Sequence, residues 1–294
     1  MHFVKAKTIL SSKNGMNVYR GCTHGCIYCD SRSECYHMEH PFEDVAVKEN
    51  APDLLFESLR KKRKPCMVGT GSMCDPYMHC EETLGYTRRC LEIIDKFGCG
   101  VTLITKSDRV LRDLDLLKKI NTDTKAVVQM TLTTFDEELC RIIEPNVCTT
   151  KRRYEVLCEL KRHNIPTVVW LCPILPFIND TEENLRGILE YCFDAGVCGI
   201  INFGFGVTLR SGSREHFYKK LDEHFPGMRE RYVRKFGDRY ECPSDNAEKL
   251  WRIFEEECRR HGIMYLADEI FAYLNRFPER TEQLSFFDRD DHTL

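Results

Sequence analysis

Apolar positions in the first two-thirds of the chain alternate between two rhythms. Short apolar runs at Cys66–Gly69, Val101–Ile104, Ala126–Leu132, Thr167–Leu171 and Gly199–Phe203 have the length and bounds of buried strands. Met16–Tyr19 reads as a shorter first strand and Val45–Val47 as a further short one. Between the runs, apolar residues recur at helical spacing. Leu54, Leu55 and Leu59 follow Pro52 and Asp53, residues that suit a first helical turn. Leu84, Cys90, Leu91 and Ile94 mark a helix over Glu81–Phe97, stopped by Gly98. Leu111, Leu114 and Leu117 mark another over Val110–Ile120; Asp136–Ile143 is a short helix, and Tyr154, Leu157, Cys158 and Leu160 sit in one over Lys151–His163. Pro173 and Pro176 break the run Thr167–Leu171, and Asp180 with Glu183 has the spacing of a capping box opening a helix that Gly196 ends. Six strands thus alternate with helices before residue 210, which predicts βα units and a parallel sheet with right-handed crossovers. Periodicity alone allows either a partial barrel or a doubly wound sheet.

After Phe203 the rhythm changes. Leu209–Arg239 is charged and helical in part, and Asp245–His261 is amphipathic, with Leu250, Trp251, Phe254 and Cys258 on one side. Gln283–Phe287 is an apolar patch in a polar tail and is expected to dock on the body. The expected division is a core over residues 1–210 with a short N-terminal lead-in, and a helical extension over 211–294 packed on it. The 294 residues, 42% of them hydrophobic, suffice for one large α/β unit with such an extension. A formal net charge of −3 carries no global nucleic-acid signature. The basic run Arg60–Lys64 reads as a solvated helix end, with a nucleic-acid contact as the alternative. Met1–Lys5 lacks the apolar core of a signal peptide and no apolar run is long enough to span a bilayer, so a cytoplasmic protein without a membrane partner is expected. The 17 cysteines in a long chain fit a reducing cytosol; Cys90, Cys158, Cys192 and Cys258 fall in helical patterns as small core residues.

The candidate chemistry is concentrated in Tyr19–Asp30, where Cys22, Cys26 and Cys29 fall in CxxxCxxC spacing with Tyr28 just before the third. Gly21 and Gly25 permit the tight backbone that lets three thiolates converge. A disulfide would use two cysteines and strand the third, so a metal centre is expected. Structural zinc takes four ligands, usually as two separated pairs. No partner pair stands at that spacing, which leaves His24, expected to point outward from the loop, as the one fourth ligand at hand. A four-iron cluster suits the pattern better, because three protein thiolates leave one iron open to a small molecule.

This motif resembles that of the radical S-adenosylmethionine (SAM) superfamily, and the longer string NVYRGCTHGCIYCDSR, Asn17–Arg32, is similar to its spore photoproduct lyase-like branch. The resemblance covers most of residues 9–215. It implies a partial six-stranded (β/α)6 TIM-like barrel with a mainly helical C-terminal extension. It implies a [4Fe–4S] cluster on Cys22, Cys26 and Cys29, and SAM cleaved reductively to a 5′-deoxyadenosyl radical that takes hydrogen from a substrate. An electron donor such as flavodoxin or ferredoxin would supply the electron. Ligands of parallel α/β folds bind at the carboxyl ends of the strands, and the resemblance assigns roles there. Tyr28 would lie beside the adenine, and Gly69, Thr70 and Gly71 would offer backbone to the SAM amino group, without the glutamate usual at that place. Lys106 would pair with the SAM carboxylate, and Thr131 with Gln129 would meet the ribose or methionine. Cys74 would return a hydrogen atom to product, in a local motif that departs from the branch and leaves Ser72 as the equivalent; Asp75 would orient substrate or start a turn. Glu144-Pro145, read as a loop closure, and Arg152-Arg153 also resemble the branch. Arg210 faces the expected site mouth, although it and Arg214 read equally well as salt-bridged surface residues. The branch's eponymous activity is DNA repair of a pyrimidine photoproduct. Peptide or RNA modification by the same radical is a rival. A non-catalytic, metal-stabilised nucleic-acid-binding protein is the alternative from another class, and the missing fourth cysteine weighs against it.

Overall fold

Six strands form one parallel sheet in the computed structural model, which describes residues 1–278. They are β1 (Gly15–Met16), β2 (Met67–Thr70), β3 (Gly100–Thr105), β4 (Ala126–Thr131), β5 (Thr167–Trp170) and β6 (Gly199–Ile201). Their spatial order equals their chain order. A doubly wound sheet would reverse order at a switch point; this one does not, and is a partial (β/α)6 barrel. Crossover helices α1 (Ala51–Arg60), α2 (Tyr86–Lys96), α3 (Leu114–Asp123), α4 (Thr150–Arg162) and α5 (Glu182–Ala195) lie between successive strands. Their apolar stripes, such as Leu55 with Leu59 and Leu157 with Leu160, join Val68, Leu103, Val128, Val169 and Ile200 in the main core.

Because strand side chains alternate, the neighbouring residues Val127, Val168 and Ile201 face the inside of the barrel. There they pack on Ile270 and Leu274 of a C-terminal helix, α7 (Ala267–Asn275). The preceding helix α6 (Ala247–Arg260) sets Leu250, Phe254 and Cys258 into the main core beside α5. Between these helices, Met264 accepts the Ile200 N–H at 2.9 Å and so covers the open edge of β6. A small sheet joins His2–Val4, Ala46–Lys48 and Tyr19–Arg20, and an antiparallel pair joins Gly206–Thr208 to Glu241–Pro243 around the helices Ser213–His224 and Met228–Phe236. Among the described residues no helix is long and apolar enough to cross a membrane.

Several local expectations are corrected. Met16–Tyr19 is not one strand: Met16 pairs with Thr70, whereas Tyr19 pairs with Val47 in the small sheet. Glu81–Phe97 is broken where Gly85 takes a left-handed φ of +62°. The helix expected from Val110 begins as a 3₁₀ turn over Asp108–Asp113. Thr181, not Asp180, caps α5, accepting the Asn184 N–H at 3.1 Å; the Asp180 carboxylate instead takes the Ser244 hydroxyl at 2.5 Å. The basic residues 60–64 are exposed and precede β2, at the end of the barrel away from the carboxyl ends of the strands. The Gln283–Phe287 patch lies outside the described residues.

Candidate active site and cluster cavity

The carboxyl ends of the strands converge on an open cavity of about 740 Å³. Gly71–Met73 reach it from β2, Lys106 from β3, Thr131 from β4, Trp170 and Cys172 from β5, and Phe203 and Gly204 from β6. Cys26, Tyr28 and Cys29 line it from the loop after β1, and the Gly206–Thr208 and Glu241–Pro243 pair forms the opposite wall. A second cavity of about 110 Å³ is lined by Cys22, His24, Cys26 and Cys29 together with Cys74, Asp75, Lys106 and Thr131. Cys26, Cys29, Gly71, Lys106 and Thr131 line both, so the two spaces adjoin.

The cysteine loop is shaped by its glycines and clamped from two sides. Gly21 has φ +88° and a Cβ there would meet the Phe42 carbonyl oxygen at 2.4 Å. That same oxygen accepts the Cys22 N–H at 3.0 Å. On the other side, Asn146 donates its backbone N–H to the His24 carbonyl (3.1 Å) and its side-chain amide to the Thr23 carbonyl (2.9 Å). Ile27 N–H donates to Ile143 O at 3.0 Å, and the Tyr28 hydroxyl donates to Glu144. Glu144 in turn pairs with Arg153 of α4 at 2.5 Å, both side chains fully buried, and Arg153 donates to the Thr131 carbonyl at 3.0 Å. Glu144-Pro145 therefore does more than close a loop: a buried ion pair anchors the cysteine loop to β4.

His24 was expected to point outward; it is 2% exposed and turned inward, with Nδ1 3.4 Å from Asp75 Oδ2. Burial depresses its pKa, with Asp75 opposing. Asp75 also accepts from the Thr105 hydroxyl (2.7 Å), the Lys106 N–H (2.7 Å) and the Tyr77 N–H (2.8 Å). It joins the cysteine loop to the end of β3, the geometry of a positioning residue. Lys106 is half-buried with Nζ 5.8 Å from the centroid of the Tyr28 ring. Burial works against its charge, but the Cys26 sulfur and Glu144 outweigh it and its pKa is raised.

The other expected residues divide. Gly71 lines both cavities at φ +96°, where a Cβ would meet the Ile104 carbonyl oxygen at 2.1 Å; Gly69 and Thr70 lie within β2 and line neither. Gln129 also lines neither: inside the barrel its amide donates to Thr102 Oγ1 (2.7 Å) and accepts from Trp170 Nε1 (2.8 Å). The Cys74 thiol is buried, donates to the Tyr19 carbonyl at 2.9 Å and lines only the smaller cavity; Ser72 lines both. Arg210 stacks on Tyr240 and bonds its hydroxyl at 2.8 Å, whereas Arg214 is spent on the carbonyls of Leu209, Asp238 and Arg239. Phe203 and Gly204 line the large cavity at the end of the sixth strand, where the strand-end rule places ligands. Trp170 and Tyr240 carry no expectation from the sequence: the strand-end rule could have reached Trp170, but nothing local announces Tyr240, which arrives through a strand pair some thirty residues apart.

The small cavity fits a polynuclear iron centre. Burial pushes the Cys26 thiol up to about 12 and raises Cys22 as well, with Asp75 adding to the latter. Such thiols ionise only against a strong local cation, which iron supplies. A single zinc ion with Zn–S bonds of ~2.3 Å holds its ligands within ~4 Å of one another. Among the described residues the one group of metal-ligating side chains drawn within 4.8 Å of each other lies elsewhere, at His2, His40 and Asp44. The three thiols and His24 form no such group, and three thiolates without a fourth suit an iron cluster that leaves one position open to a small molecule.

The radical SAM superfamily model matches residues 16–210. An uncharacterized protein of Methanocaldococcus jannaschii is 34% identical over 220 residues, 74% of this chain and 78% of that protein. An uncharacterized protein of Mycobacterium tuberculosis is 28% identical over 225 residues, 74% of this chain and 65% of that one. In structure, the chain is similar to a spore photoproduct lyase variant with bound AdoMet and dinucleoside spore photoproduct, with TM-score 0.60 and 14% identity over 90% of this chain and 80% of that chain. At that identity the likeness concerns the fold.

Proposed function

The chain belongs to the radical SAM superfamily, and on that premise we propose that Cys22, Cys26 and Cys29 hold its cluster and that the large cavity receives a substrate carrying a planar base, a DNA pyrimidine photolesion being the first to test. Membership makes the protein a radical SAM enzyme whose cofactors are a [4Fe–4S] cluster and SAM. Bound together, these supply one-electron cleavage of SAM to methionine and a 5′-deoxyadenosyl radical for hydrogen abstraction. The non-catalytic alternative falls with the family assignment.

The observation that carries the reading is a thiol-lined cavity adjoining a larger one with an aromatic rim. Trp170 and Phe203 meet edge to face at 5.8 Å, and Phe203 is 62% exposed. An exposed aromatic face at a cavity rim is a stacking platform, worth ~1–3 kcal/mol per base. With a formal net charge of −3, recognition rests on this rim rather than on a basic surface. The spore photoproduct lyase variant that shares the fold holds a dinucleoside, which favours a nucleic-acid substrate over a peptide.

Within this reading the chain's own residues bind and orient. Lys106 presents a point cation to the SAM carboxylate. Gly71, without a Cβ, lets backbone approach the amino group, and Tyr28, fixed by Glu144, flanks the adenine. Thr131 borders both cavities and meets the ribose or methionine. Asp75 keeps Lys106 and the cysteine loop in register; Ser72, which lines both cavities, stands nearer the substrate space than Cys74, which lines only the smaller one. Met73, Pro173 and Val207 give the large cavity its apolar lining. A flavodoxin- or ferredoxin-type donor delivers the electron.

Anaerobically reconstituted, reduced protein should form 5′-deoxyadenosine from SAM, and Cys29→Ala should not. Ultraviolet-irradiated DNA should be consumed, with Phe203→Ala raising KM for it ~5- to 150-fold, the equivalent of 1–3 kcal/mol, while uncoupled SAM cleavage persists. Cleavage of SAM with irradiated DNA left unchanged would sink the substrate assignment and leave the reaction class standing.

A further inference from the structure

His2 opens the edge strand of the small sheet, with its N–H on the Val45 carbonyl at 3.0 Å. His40 and Asp44 flank the turn Pro41–Asp44, closed by the Asp44 N–H on the Pro41 carbonyl at 3.0 Å. The two imidazole rings stand edge to face with centroids 4.7 Å apart, and His2 Nδ1 lies 3.0 Å from Asp44 Oδ2. One ligand atom from each of the three side chains falls within 4.8 Å of the others. His40 Nδ1 is 3.0 Å from the Pro41 carbonyl. A carbonyl only accepts, so Nδ1 carries the proton and the Nε2 lone pair is left to ligate; this is the outer contact that orients metal-binding histidines.

We propose that His2, His40 and Asp44 form a zinc site, separate from the cysteine cavity. Two imidazoles and a carboxylate are a zinc donor set, with bonds of ~2.0–2.2 Å that put neighbouring ligand atoms ~3.3 Å apart. The observed separations reach that by small rotations of three half-exposed side chains. Calcium and magnesium ask for more oxygen ligands than the site offers. The Met1 amino group pairs with Asp44 Oδ1 at 2.6 Å and leaves Oδ2 toward His2. Water completes the fourth position. The ion ties the first strand to a turn whose Phe42 carbonyl holds the Cys22 N–H at 3.0 Å. That turn is gripped again by Arg32, 4.3 Å over the Phe42 ring and 2.5 Å from Glu43. The zinc site thus braces the back of the cysteine loop.

The test uses untagged, cluster-loaded protein exposed to Zn²⁺ and then washed with a weak chelator, read by zinc-edge X-ray absorption and metal analysis. The expected result is about one zinc per chain with only nitrogen and oxygen neighbours at ~2.0–2.1 Å. It should persist in the Cys22→Ala/Cys26→Ala/Cys29→Ala variant. His40→Ala and His2→Ala should each weaken retention at least ~10-fold, with far-ultraviolet circular dichroism unchanged. Sulfur neighbours only, or retention indifferent to both histidine substitutions, would overturn the proposal. The cluster reading has its own readout in 5′-deoxyadenosine and is untouched by either outcome.

Discussion

Glu144 and Arg153 show what a single pair of side chains does in this molecule. Both are fully buried, and between them they hold Tyr28 and the Thr131 carbonyl. Glu144→Gln leaves the Arg153 charge buried without its counter-ion, so denaturant titration should show a loss of ~3–5 kcal/mol. A different residue sets part of the acid response. His216 faces Arg32, Glu43, Lys220 and Glu223, and burial, with Arg32 assisting, lowers its pKa to about 4. The unfolded chain takes up this proton near ~6.5, before the folded protein does. Stability is therefore fully present above that value and is lost as pH falls from ~6.5 toward about 4. A melting-temperature series across that window should be flatter for His216→Gln than for the unsubstituted protein.

At the scale of elements, two glycines separate backbone conformation from crowding. Gly85 (φ +62°) breaks the helix after β2 in open space, while Gly71 (φ +96°) ends β2 against the Ile104 carbonyl. Gly85→Ala should cost only the left-handed penalty of ~1–2 kcal/mol. Gly71→Ala should cost more, since its Cβ would meet that oxygen at 2.1 Å, and should also impair SAM cleavage in whatever folds. Equal losses of stability in the two variants would show that the β2–β3 contact yields easily.

The whole molecule depends on its last described helix. α7 covers the inner face of the barrel through Ile270 and Leu274, and its Phe271 ring lies 6.2 Å from both Trp170 and Phe203. Ile270→Ala should lose ~2–5 kcal/mol in denaturant titration, with 5′-deoxyadenosine formation per folded molecule retained. We place the start of the extension at residue 211 and expect residues 1–210 alone not to unfold cooperatively, because Leu250, Phe254 and Cys258 belong to the main core. A sharp, reversible transition of that fragment would show the barrel to be self-sufficient.

The chain by itself determined the cysteine motif, the six βα repeats and the strand ends at which ligands bind, because hydrophobic period and motif spacing are local properties of a sequence. It left the barrel and the doubly wound sheet equally open until family resemblance was added, since both bury the same pattern. Only the tertiary structure decided that His24 turns inward onto Asp75, that Gln129 is occupied inside the barrel, and that Glu144 anchors the cysteine loop. Each of these rests on a contact between distant residues; Tyr28 and Glu144 are 116 positions apart. No local period encodes such a meeting: it exists only once the sheet has brought its strand ends together and excluded water from the groups that meet there.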